Sequence, residues 1–158
     1  MRGKKAPVRK IEPDYKYNSV DISKFINYVM YDGEKSVARI LVYKALDKLA
    51  EFTGEGQVIS FEKAINSVRP NIEVRSRRVG GATYQVPTPV RENRSKSLAY
   101  RWIINSARDK RNNTRHETWE TLAQELHDAY KGEGSAMKKR DEMHRMADAN
   151  KAFAHLAW

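Results

Sequence analysis

Ile72-Glu-Val-Arg-Ser-Arg-Arg-Val-Gly-Gly-Ala-Thr-Tyr-Gln-Val-Pro-Thr-Pro89 departs from the helical spacing of the rest of the chain and alternates roughly every second residue. The pattern predicts two strands, Ile72 to Val79 and Ala82 to Pro89. The Gly80-Gly81 pair between them suits a tight turn with positive φ. Pro87 and Pro89 cannot donate ladder hydrogen bonds, so the second strand is an edge. With a two-residue turn, Arg77 lies opposite Tyr84 and Arg75 opposite Val86, so cationic and flat side chains share a face. An eight-residue strand reaches roughly 26 Å at ~3.3 Å per residue. A lone two-stranded ribbon is marginal in water, so the body or a ligand must order it.

On both sides of the ribbon the apolar period is helical. Before it, Ile22, Phe25, Ile26, Val29 and Met30 mark a first helix that Asp21 can cap and Asp32-Gly33 ends. A second helix over about 35–52 carries a wide stripe (Val37, Ile40, Leu41, Ala45, Leu49), which places it at the centre of a bundle. A third starts with Ser60 as its cap and stops at Pro70. After the ribbon, helices are expected over about 95–111 and 118–131, and from Ser135 towards the end of the chain. The expected fold is mainly α: a single six-helix domain with a protruding two-stranded β-ribbon arm between the third and fourth helices. The arm covers about 71–90, a basic tail 1–18 and the helical domain 19–158.

The chain has 158 residues, a formal net charge of +10 and no cysteine. An excess of this size opposes compaction by self-repulsion and points to a polyanionic partner, with nucleic acid the leading candidate. A membrane is the weaker alternative, because no apolar run approaches the ~20 residues of a spanning helix. Without cysteine there is no disulfide framework or thiol nucleophile, which fits a reducing, cytoplasmic setting. Ser135-Ala-Met-Lys138 has the Ser-x-x-Lys spacing but lacks its companion boxes, and His116-Glu117 lacks the second histidine of a zinc-protease motif. No catalytic residue, metal site or cofactor is implied.

The positive charge is clustered. Arg2, Lys4, Lys5, Arg9 and Lys10 fill the tail, and Arg75, Arg77, Arg78, Arg91 and Arg94 accompany the ribbon. Arg101, Arg108, Lys110, Arg111 and Arg115 lie on and after the fourth helix, and Lys138, Lys139, Arg140 and Arg145 lie on the last. Guanidinium groups are planar forked donors suited to phosphate oxygens. An architectural DNA-binding protein with a β-arm is the competing reading. Such arms carry apolar wedges at their tips, whereas this tip is Val-Gly-Gly-Ala.

Two longer stretches carry a family resemblance. Val68-Arg-Pro-Asn-Ile-Glu-Val-Arg-Ser-Arg-Arg-Val-Gly-Gly-Ala-Thr-Tyr-Gln-Val-Pro87 resembles the arm of the bacterial-type small-subunit ribosomal protein seven family. Lys138-Lys-Arg-Asp-Glu-Met-His-Arg-Met-Ala-Asp-Ala-Asn-Lys-Ala-Phe-Ala-His155 is similar to its C-terminal helix. The resemblance implies a non-enzymatic protein that binds the 3′ major domain of small-subunit ribosomal RNA and nucleates assembly of the subunit's head. It implies neighbours in ribosomal proteins nine and eleven, and a position near the messenger exit channel. It adds Lys35 to the residues expected to hold ribosomal RNA. It turns the arm tip, Val79, Gly80, Gly81, Ala82 and Tyr84, towards exit-site transfer RNA and messenger RNA. The implied location is the cytoplasmic small subunit, with an organellar origin left open. Glu34 stands where the family usually has lysine, and the 111–119 connection is longer than usual.

Overall fold

A computed structural model describes residues 3, 6, 7 and 9–157 of the chain. Helix α1 spans Val20–Val29, α2 Lys35–Thr53 and α3 Gln57–Val68. Strands β1 (Ile72–Val79) and β2 (Ala82–Pro89) follow, then α4 (Glu92–Asn113), α5 (Thr118–Lys131) and α6 (Ser135–Ala149). A 3₁₀ turn over Lys151–Leu156 comes last. The mainly helical fold with a two-stranded antiparallel ribbon between α3 and α4 matches the sequence reading.

The helix ends differ from the expectation in instructive ways. Ser19, not Asp21, caps α1: its side chain accepts from the Ile22 N–H, leaving Asp21 in the first turn. The helix stops at Val29, and Asp32 and Gly33 lie beyond it with φ of 48° and 84°. Helix α3 begins near Gly56, one turn before Ser60, because Val58 joins its apolar face. Ser60 is instead buried inside that helix and its hydroxyl meets Thr53 Oγ1 at 2.8 Å. Helix α4 also starts earlier, at Glu92 rather than Ser95, and the last α-helix ends at Ala149.

The centre of the bundle is α5 rather than α2. It packs against α2, α3, α4 and α6, whereas Val37 and Ile40 on α2 remain about half exposed. Ala123, Leu126 and Ala129 on α5 meet a core that includes Ile22, Phe25, Leu46, Phe61 and Ile103. Fully burying each large apolar side chain contributes about 1.5–3 kcal/mol. Phe25 sets its ring edge-on to Phe61 and Tyr100, with centroids 5.1 and 5.6 Å apart, which locks α1 to α3 and α4.

The ribbon register is as the turn length requires: Arg77 pairs with Tyr84, Arg75 with Val86, and Glu73 with Thr88. Gly80 and Gly81 have φ of 58° and 92°, the sign that a two-residue hairpin turn of this hand needs at both positions. The ribbon is not free-standing. Val86 is buried, and the Tyr84 ring sits 5.2 Å from Phe153 of the 3₁₀ turn. At its root, Ser95 Oγ donates to the Pro70 carbonyl at 2.8 Å, and the Asn71 N–H donates to His144 Nε2 at 3.3 Å. Arg140 of α6 donates to the Ser67 carbonyl at 2.6 Å. The chain that enters the arm is thus fastened to α4 and α6.

Candidate nucleic-acid interface

The structure sorts the predicted cations into two sets. The first points outward and forms no ion pair among the described residues. Arg9 and Lys10 in the tail are exposed, as are Lys35 at the start of α2, Arg78 on β1 and Arg91 before α4. Arg111 and Arg115 beside the α4–α5 connection are exposed too, as are Lys138 and Arg145 on α6; Lys139 is partly covered. Arg101 is exposed with its guanidinium 5.7 Å from the Tyr28 ring. Arg2, Lys4 and Lys5 lie outside the described residues.

The second set is engaged within the protein. Lys110 Nζ lies 2.6 Å from Glu125 Oε2 and 2.7 Å from Asp128 Oδ2, both on α5. Glu125 is fully buried, and its other oxygen accepts the Ala136 N–H at 2.8 Å, at the start of α6. Burial works to lower the Lys110 pKa, but the hydrogen bonds and charges of Asp128 and Glu125 outweigh it and hold it above the ordinary value. Arg108 donates from Nη2 to the Val29 carbonyl at 3.1 Å, satisfying an end-of-helix acceptor of α1. Arg140 adds an ion pair to Asp141 at 2.6 Å.

Arg75 and Arg94 share one carboxylate. Arg75 Nε lies 2.7 Å from Glu73 Oε1, and Arg94 Nε lies 3.2 Å from Glu73 Oε2. Glu73 is only 4% exposed. Burial works to raise its pKa, and the two guanidinium groups overcome that and leave the carboxyl below the usual range. The sequence reading did not single out Glu73, although strand alternation places it on the face of Arg75 and Arg77. Arg77 is partly covered. At the arm tip Gly80, Gly81 and Ala82 are exposed, whereas Val79 and Tyr84 are half-buried and help line a hollow with Phe153 and Leu156.

The root of the tail is also structured. Asp14 is buried and accepts from the Tyr43 hydroxyl at 2.8 Å and from the N–H groups of Lys16 and Tyr17. Burial and the Asp14 charge hold the Tyr43 hydroxyl well above its ordinary pKa. Tyr17 in turn donates to Asp47 at 3.1 Å, which ties the end of the tail to α2.

These features define a class of protein: a basic helical body with a structured cationic arm, outward-facing charge on several elements, and no helix long and apolar enough to cross a membrane among the described residues. A family model described as "Ribosomal protein S7p/S5e" matches residues 1–151, and the chain belongs to that family. It is 52% identical over 158 residues to "Small ribosomal subunit protein uS7" of Petrotoga mobilis, covering 100% of both chains. The protein of the same name from Treponema denticola is 52% identical over 157 residues, 99% of each chain, and that from Kosmotoga olearia 53% over 158, 100% of each. The family is one of ribosomal proteins and not of enzymes.

Proposed function

We propose that the chain is a structural component of the small ribosomal subunit that binds ribosomal RNA directly through its outward-facing cations. It binds the 3′ major domain and nucleates assembly of the subunit's head. In the finished particle it lies near the messenger exit channel beside ribosomal proteins nine and eleven, and its glycine tip faces exit-site transfer RNA. The observation that carries this reading is the separation of cations in a family-matched fold. Exposed arginines and lysines that form no ion pair among the described residues occur on the arm, after α4 and on α6, where phosphate oxygens can reach them. Lys110 and Arg108 have structural partners instead, so the RNA-facing set excludes them. The two-residue tip supports the reading as well, since it has no bulky residue to wedge between DNA base steps.

Sucrose-gradient sedimentation of a cell lysate tests the particle assignment; absence of the protein from small subunits would refute it. Binding to a transcript of the 3′ major domain, with duplex DNA as competitor, tests the RNA assignment. The RNA should be held preferentially, with a steep salt dependence.

A further inference from the structure

We infer that Glu73 is a positioning residue: it holds Arg75 and Arg94 as a preset pair of guanidinium forks for one stretch of RNA phosphodiester backbone. This rests on the ribosomal-RNA reading above and names the device inside it. Arg75, Arg77, Arg91 and Arg94 line a cleft of about 610 Å³ between the ribbon and the start of α4, and among the described residues no acidic side chain lines it. Two guanidinium groups share one carboxylate, so one positive charge is left over at the pair, and Arg91 adds a second.

Each arginine gives Glu73 only part of its donor set. Arginine has five N–H donors in a fixed planar fork. Among the described residues, Arg94 bonds Glu73 through Nε and leaves both terminal nitrogens without a hydrogen-bond partner, and Arg75 leaves Nη1 without one. The two side chains are about half exposed while Glu73 is buried beneath them. A long flexible arginine normally loses rotamer freedom when it grips an anion. A buried carboxylate that fixes the rotamers beforehand removes part of that cost from binding.

The sign of one substitution separates positioning from simple charge. Glu73→Gln raises the net charge by one, so electrostatics alone should tighten binding to RNA. Positioning requires the reverse, because a neutral amide can accept from only one of the two arginines and presents an NH₂ to the other.

The experiment measures affinity of the full chain for a transcript of the 3′ major domain across roughly 50–200 mM salt. Glu73→Gln is expected to bind about five- to tenfold more weakly despite its added charge. In an Arg75→Ala/Arg94→Ala background the same change should cause no further loss. Equal or tighter binding by Glu73→Gln would overturn the inference. So would an equal loss in the double-alanine background, which would mark a general folding effect. Failure of the unmodified chain to bind the transcript would instead refute the RNA reading itself, and the inference with it.

Discussion

Lys110→Met should destabilise the protein and leave its grip on RNA unchanged. The substitution keeps the aliphatic stem and removes the ammonium that faces Glu125 and Asp128 at 2.6 and 2.7 Å. Glu125 is fully buried, so its charge would be left with the Ala136 N–H as its remaining donor. Removing one partner of a buried pair costs about 3–5 kcal/mol. The Lys110 side chain is 31% exposed, and water can partly replace it, so a loss of about 2 kcal/mol is expected. At roughly 2–4 °C per kcal/mol for a chain of this size, the melting temperature should fall by about 4–8 °C. Thermal unfolding followed by circular dichroism reads this directly, and urea titration supplies the free energy. The double variant Lys110→Met/Glu125→Gln should recover part of the loss, since a neutral amide removes the unpaired buried charge and still accepts the Ala136 N–H. A melting temperature within about 1 °C of the parent, or a flattened salt dependence of RNA binding, would refute the reasoning and return Lys110 to the RNA-facing set.

Arg78→Gln and Arg145→Gln should behave in the opposite way. Stability should stay within about 0.5 kcal/mol, while the salt slope of RNA binding falls by about one for each phosphate that is no longer neutralised. Gly134→Ala should cost about 2 kcal/mol or more in urea unfolding. Its φ is +96°, and an added Cβ would stand 2.9 Å from Asp128 Cβ and 3.2 Å from Glu125 Oε1. Glu73 supplies a pH dependence: its folded carboxyl titrates below the ordinary 4.5. Its stabilising effect is therefore complete well above pH 4.5 and is lost as the pH falls through the lower folded value. Urea unfolding of the parent and of Glu73→Gln should differ most near neutral pH and converge in acid; a gap that widens on acidification would contradict the assignment.

The arm was legible in the sequence because its signals are local. A glycine pair fixes the turn, the turn fixes the register, and prolines mark an edge. The helix starts were less legible wherever two residues could serve, as with Ser19 and Asp21 within one turn. The wide stripe on α2 misplaced the bundle centre, since apolar spacing shows which side chains could be buried but not whether a neighbour covers them. Sorting the cations was harder still. Lys110 meets its acids from the neighbouring helix, and Arg108 reaches a carbonyl 79 residues away, so clustering along the chain treats them like Arg78. Glu73 was the accessible miss: it alternates with Arg75 and Arg77 on β1, and a lone acid on a cationic face invites the question of what it holds.

The fastened root and the Phe153 contact give the arm the mechanics of a propped beam. Pro70, Asn71 and Ser67 are each tied to α4 or α6, so the ribbon has no swivel where it leaves the body. The Tyr84–Phe153 contact braces it again towards the far end, so bending is confined to the segment beyond that brace, at Gly80 and Gly81. A load at the tip is passed as torque into α6, whose outer face carries Lys138 and Arg145. Contact at the far end of the arm and contact along the helix are thereby mechanically linked, even though the two surfaces share no residue.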